Sequence, residues 1–104
     1  MRESEVKPPE TLNEAAKKIW RELQAEYSIT DGGGLLLLDT AMEAWQQGQE
    51  AQAILAKEGL TIENETTGFK RLNPAAQALK EARASFFKAI SMLNLDISAD
   101  EREW

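Results

Sequence analysis

Apolar residues recur every three or four positions in three long segments of the chain, which predicts three helices separated by two breaks. The first segment predicts a helix over about 11–27, with apolar positions at Leu12, Ala16, Ile19, Leu23 and Tyr27. Thr-Leu-Asn-Glu at 11–14 fits a capping box, so we expect Thr11 to cap this helix and Glu14 to bond back to it. Three consecutive glycines at 32–34 predict the first break.

The second helix is predicted over about 33–57, with Asp31 as its N-cap and Gly59 at its C-terminal cap. Its apolar residues cover an arc wider than the stripe that a single neighbouring helix needs. The arc contains Leu37, Leu38, Ala41, Met42, Trp45, Gly48, Leu55 and Ala56. Such an arc indicates two neighbours, and one of them could belong to another subunit.

The second break predicts a short β-hairpin or an extended loop, because residues 60–63 alternate in polarity and Thr-Gly at 67–68 favours a turn. Residues 69–72 would form the return strand. The third helix then opens with Asn73 as N-cap and Pro74 at its first position, and ends at Asn94 in a left-handed cap. Its expected core stripe is Leu79, Ala82, Phe86, Ala89, Ile90 and Leu93.

The predicted fold class is therefore mainly α, a three-helix domain over 11–97 with the hairpin or loop between helices 2 and 3. Residues 1–10 are expected to form a flexible arm because they contain two prolines and alternating charges. A second capping-box pattern at 98–101 predicts a short helical turn in a C-terminal tail over 98–104. The length of 104 residues is that of one domain.

Composition excludes several chemistries. The chain has no Cys and no His, which removes thiol nucleophiles, zinc–thiolate sites and the commonest general base. Asp39, Glu43 and Glu50 share one helix face, and we interpret them as a solvated surface rather than a metal site. We expect no enzymatic activity, no cofactor and no bound metal. The longest apolar run is four residues, at 35–38, so we expect a cytoplasmic protein that does not span a membrane.

Charge is distributed unevenly along the chain, whose net charge is −6. Residues 1–65 carry 6 basic and 13 acidic side chains, whereas residues 66–95 carry five basic side chains and one acidic one. Since DNA binding gains free energy when cations displace counterions from phosphates, these five are the stronger candidates for DNA contact. They are Lys70, Arg71, Lys80, Arg83 and Lys88. A second candidate set on the first helix is Lys17, Lys18 and Arg21.

The alternative for both sets is a solvated surface, and nearby glutamates on the first helix favour ion pairs there. The wide arc of the second helix, together with one aromatic residue off the core stripe of the third, predicts a homo-oligomer. We expect its interface to contain Leu38, Met42, Trp45 and Phe87. The alternative for Phe87 is that the C-terminal segment folds over it.

The order of these motifs over 9–96 resembles the small subunit of tailed-phage terminases. The resemblance rests on Pro-Glu-Thr-Leu at 9–12, Trp-Arg-Glu-Leu at 20–23, Thr-Gly at 67–68, Asn-Pro-Ala at 73–75 and Leu-Asn-Leu at 93–95. It implies a non-enzymatic DNA-packaging factor that forms a ring homo-oligomer. It further implies that the protein binds double-stranded phage DNA and delivers it to the large terminase subunit, modulating that subunit's ATPase and nuclease.

Two features depart from what the resemblance implies, because the N-terminal arm is acidic where relatives often have a basic one, and the C-terminus is short. The glycines at 32–34 are followed by leucine, so they do not form a phosphate-binding P-loop. The alternative function is that of a phage adaptor or regulatory protein that binds other proteins and never contacts DNA.

Overall fold

The computed structural model describes residues 6–94, which form three helices and one antiparallel hairpin. The elements are α1 (Glu14–Tyr27), α2 (Gly32–Glu58), β1 (Thr61–Glu63), β2 (Lys70–Leu72) and α3 (Pro74–Leu93). The predicted fold class is confirmed, including the hairpin between the second and third helices. The helical turn predicted within 98–104 lies outside the described residues. No helix in the described part of the chain is long and apolar enough to cross a membrane.

The first helix begins later than the capping-box pattern predicts, because its N-cap is Asn13 and not Thr11. The Asn13 side chain accepts a hydrogen bond from the backbone N–H of Ala16 at 2.9 Å. The backbone N–H of Asn13 donates to the Gln46 side chain of α2 at 2.6 Å. In a capping box the side chain at the third helical position accepts this bond, but that residue here is Ala16, which has no acceptor. The start of α1 is thus determined by a contact with α2.

The second helix begins as predicted, with Asp31 as N-cap. Its carboxylate accepts the backbone N–H of Gly34 at 2.8 Å. Gly34 is buried beneath this cap, and a Cβ placed on it would lie 2.8 Å from both an Asp31 carboxylate oxygen and an Ile29 methyl group. The third glycine is therefore required by close packing, whereas Gly32 and Gly33 have room for a side chain.

Asn73 joins the end of α2, the base of the hairpin and the start of α3. Its side-chain oxygen caps α3 by accepting the backbone N–H of Ala75, as the sequence predicts. Its side-chain nitrogen donates to the Gly59 carbonyl at 3.0 Å and to the Glu58 carboxylate at 3.2 Å. Because Asn73 is only 2% exposed, these partners satisfy a polar group that would otherwise be costly to bury.

The wide apolar arc of α2 is covered on two sides by this same chain. The α1 helix packs against the first half of α2, and α3 runs antiparallel to α2 along most of its length. Leu38 and Met42 lie at the centre of the resulting core and are 0% exposed. The pattern therefore correctly indicated two neighbours, but both are intramolecular, and neither residue offers surface to a second subunit.

Residues 6–9, in the second half of the predicted N-terminal arm, lie against the helical domain. Val6 is half-buried and packs on the core, and the backbone then turns through a hydrogen bond from Leu12 to the Pro9 carbonyl at 3.2 Å. The described part of the arm therefore contributes apolar contact to the domain.

The glycines at the start of α2 supply a matched pair of stability tests. We expect Gly33→Ala to stabilise the protein by about 0.4–1 kcal/mol, because alanine restricts the unfolded chain. We expect Gly34→Ala to destabilise it by about 1 kcal/mol, because the new methyl group displaces the Asp31 cap. Urea unfolding followed by circular dichroism measures both. Equal stabilisation by the two substitutions would contradict the packing described at Gly34.

Candidate nucleic-acid interface

The two cations of the hairpin lie on opposite faces of the sheet. The strand register places Lys70 directly across from Glu63, and Arg71 directly across from Ile62. Because successive residues of a strand point to opposite faces, the two side chains diverge although both are exposed. Adjacent positions in the sequence suggested one basic pair. The structure instead gives one cation beside a carboxylate and one within an apolar face.

The three cations of α3 also separate into two groups. At about 100° per residue, Lys80 and Arg83 lie roughly 60° apart around the helix, on the flank that carries Phe87. Lys88 lies about 140° from Arg83 and belongs to the outer surface. Lys80 and Lys88 are exposed, and Arg83 is half-buried. The cations of α3 therefore follow its length without forming one compact patch.

Among the α1 cations, the charge of Lys17 is partly neutralised by a glutamate of the same helix. Lys17 is half-buried, and its ammonium group lies 3.8 Å from the carboxylate of Glu14. Such ion pairs contribute only about 0–1 kcal/mol at a surface, but they reduce the net positive charge offered to a phosphate. Lys18 and Arg21 are exposed and point away from the core. They are the better candidates of this set.

The α1 cations and the hairpin cations lie at different levels along α2. The helix α1 runs antiparallel to α2, since Asn13 contacts Gln46 and Trp20 contacts Asp39. The hairpin begins after the end of α2 at Glu58, about 18 Å along the helix axis from Gln46. The eight predicted DNA contacts are thus distributed along the molecule rather than gathered in a single site.

The four residues predicted at an oligomer interface have different environments. Leu38 and Met42 are core residues, as described above, so their assignment to an exposed interface is corrected. Trp45 is half-buried and packs against the core. Phe87 is 39% exposed, and its ring packs edge-on against Phe86 with centroids 5.2 Å apart. Phe87 is the most exposed of the four.

The carboxylate strip of α2 contains a structural hydrogen bond. Asp39 accepts the indole N–H of Trp20 at 2.9 Å, and Trp20 is only 2% exposed. This bond gives the buried indole the polar partner that tryptophan usually needs in a core. Among residues 6–94, no group of three acidic side chains is placed to hold a metal ion. Asp39 therefore serves to orient α1 on α2.

The hairpin presents apolar side chains that the sequence interpretation did not treat as a site. On one face of the hairpin Phe69 is 77% exposed and Leu60 is 60% exposed, and on the opposite face Leu72, which pairs with Thr61, is 55% exposed. The alternating polarity of residues 60–63 predicted a strand with one apolar face, and this pattern was the sequence signal for an exposed apolar surface on the hairpin. What the sequence does not reveal is that no helix within residues 6–94 covers the face that carries Phe69 and Leu60.

A groove of about 440 Å³ runs between the second half of α2 and the first half of α3. We name it the alanine groove. Buried Ala51 and Ala82 form its floor, and exposed Ala78 and Ile54 border it. Glu50 of α2 and Glu81 of α3 each add a carboxylate to the lining. Both carboxylates and Ile54 are exposed.

Within residues 6–94 the chain is a small helical domain that carries cations along α3 and on a hairpin. The family model of the phage terminase small subunit matches residues 16–102, which is most of the chain. The chain belongs to this family, whose members are generally non-catalytic and act in phage DNA packaging with DNA and a large subunit as partners. Searches of curated proteins and of solved structures found no match.

Substitutions of Asp39 test its structural role. We expect Asp39→Ala to destabilise the protein by about 1–3 kcal/mol, because it leaves the buried indole N–H without an acceptor. Asp39→Asn keeps a carbonyl oxygen and should cost less than about 1 kcal/mol. Glu43→Ala, on the same helix face, is the exposed control and should change stability by less than about 0.5 kcal/mol. Thermal unfolding with and without Mg²⁺ measures all three, and a magnesium-dependent shift lost in Asp39→Asn would contradict this role.

Proposed function

We propose that this protein binds double-stranded phage DNA, assembles with copies of itself and delivers the DNA to the large terminase subunit, whose ATPase and nuclease it modulates. The observation that carries the proposal is the concentration of positive charge in an otherwise acidic chain. Within 66–94, five basic side chains accompany one acidic side chain. Four of the five are exposed, and they belong to the hairpin and α3.

The placement of these cations suits contact with a phosphate backbone. They extend from the hairpin along α3, and Lys18 and Arg21 add two exposed cations on α1. A duplex offers phosphates along its whole length, so distributed cations can each displace a counterion. No predicted base-reading element accompanies them. The interaction that this arrangement supports is therefore electrostatic, with modest affinity for one subunit.

Self-association would compensate for that modest affinity. Several linked copies bind one DNA molecule with a high effective concentration, so the assembly binds much more tightly than a single subunit. The exposed apolar side chains of the hairpin and Phe87 supply surface that another subunit could cover. The same exposed apolar surface also favours the alternative function, a phage adaptor that binds only proteins. Salt-dependent binding to duplex DNA distinguishes the two.

Removing the hairpin cations tests DNA binding. We expect the double substitution Lys70→Ala with Arg71→Ala to weaken binding to duplex DNA and to flatten its salt dependence. Each lost phosphate contact should lower the slope of log K against log salt by about 0.9. Fluorescence anisotropy with labelled duplex at several salt concentrations measures the affinity and the slope.

A matched control removes two cations outside the predicted set, through Lys7→Ala with Lys57→Ala. Both of these lysines are exposed, and the change in net charge is the same. We expect the control to keep nearly the full slope. Equal slopes for the control, the hairpin variant and the unmodified protein would exclude the hairpin from the DNA contact. No DNA binding by the unmodified protein would favour the adaptor.

The native mass tests self-association. One chain has a mass of 11.6 kDa. We expect light scattering on a sizing column to give an integer multiple of that mass, as for an assembly with a fixed number of subunits. The physical reason is the apolar surface that the single chain leaves in water. A monomer at every concentration tested, with and without DNA, would contradict the proposed assembly.

A further inference from the structure

One face of the hairpin combines three apolar side chains with one cation. Ile62 and Arg71 are directly opposite each other in the register, and strand alternation places Phe69 and Leu60 on the same side. We name these four residues the hairpin face. A two-stranded hairpin is only marginally stable in water, so an uncovered apolar face of this kind gains stability from a partner.

The alanine groove is complementary to the hairpin face in shape and in charge. Its floor of small side chains leaves space for a bulky ring such as that of Phe69, which is 77% exposed. Glu50 and Glu81 stand at its edges and provide carboxylates for Arg71. At the surface, Glu81 accepts a hydrogen bond from the Gln77 side chain at 2.9 Å.

The chain does not bring these two surfaces together within itself. The hairpin leaves α2 at Gly59 and returns at Asn73, where hydrogen bonds hold its base against the helix ends. Leu60 and Phe69 remain largely exposed in this arrangement. The two surfaces are therefore available to meet only between different molecules.

We propose that the hairpin face of one subunit docks into the alanine groove of a second copy of this chain. The inference rests on the proposed self-assembly and names the surfaces that carry it. Phe69 fills the groove over the alanine floor, and Arg71 lies between Glu50 and Glu81. The contact joins two different surfaces, so each subunit keeps one free groove and one free hairpin, and the assembly closes into a ring or extends as a filament.

The opposite faces of the hairpin then have separate roles. Arg71 contacts the neighbouring subunit, while Lys70, on the other face, remains outside the contact and available for DNA. Two cations that are adjacent in the sequence are thus distinguished by function: in the Lys70→Ala with Arg71→Ala variant, the loss of Lys70 would weaken DNA binding directly, and the loss of Arg71 would weaken it through loss of assembly. Arg71→Glu should lower the native mass, whereas Lys70→Glu, its matched control, should leave the native mass unchanged and weaken DNA binding.

Two further variants test the two surfaces without touching the core. Phe69→Ser removes the ring from the hairpin face, and Ala78→Arg fills the alanine groove and repels Arg71. We expect each to weaken self-association by about 30-fold or more, as loss of a central interface residue typically does. The controls are Met92→Ser, an exposed apolar residue elsewhere on α3, and Ala84→Arg, an exposed alanine outside the groove lining. Circular dichroism establishes that all four variants remain helical.

Mixing the two surface variants gives the decisive result. Phe69→Ser keeps an intact groove and Ala78→Arg keeps an intact hairpin, so an equimolar mixture should form a dimer joined by one contact. Each variant alone should be monomeric on the same column. A mixture that remains monomeric overturns the inference, as does assembly of both variants at the native mass.

The outcomes also separate this inference from the proposed function. If the unmodified protein assembles and the surface variants assemble equally well, self-assembly stands and the hairpin–groove contact is wrong. If the unmodified protein is monomeric, both are wrong. If Phe69→Ser and Arg71→Glu keep the native mass but lose DNA binding, the hairpin face is a DNA contact and not a subunit contact.

Discussion

The antiparallel packing of α2 against α3 through small side chains is the interaction on which the rest of the structure depends. Ala44 and Ala51 of α2 and Ala75 and Ala82 of α3 are all buried. Small residues let two helices approach closely, but each buries little apolar area. The half of this helix pair that α1 covers gains a large core. The other half rests on the alanine contacts and on Asn73, and it leaves a groove beside them.

This unequal support explains why apolar side chains remain exposed at the hairpin end. The α1 helix is oriented by the Trp20–Asp39 and Asn13–Gln46 hydrogen bonds, so it lies over the first half of α2 only. Beyond it, no other element within residues 6–94 covers the hairpin or the groove, and the hairpin together with α3 carries most of the unbalanced positive charge. The surfaces that we propose for contact with a second subunit therefore lie at this end, whereas the cations that we propose for DNA contact extend along the molecule.

The local sequence was sufficient to predict a helix end wherever a single residue caps that end without help from a distant part of the chain. Asp31, Asn73 and Asn94 cap their helices as predicted, because each fits the backbone geometry of its position. The start of α1 could not be predicted in the same way. Thr11 and Asn13 are both good N-caps, and the choice between them depends on Gln46, which is 33 residues away in the chain.

The sequence by itself determined the three helices, the hairpin, the segregation of charge and the family to which the chain belongs. Hydrophobic periodicity also determined that α2 has two neighbours, but it carries no information on whether a neighbour belongs to the same chain. Only the tertiary structure placed Leu38 and Met42 in the interior, because α1 and α3 both pack over them. Likewise, only the strand register separated Lys70 from Arg71, since a strand sends successive side chains to opposite faces and the surroundings of each face are set by packing.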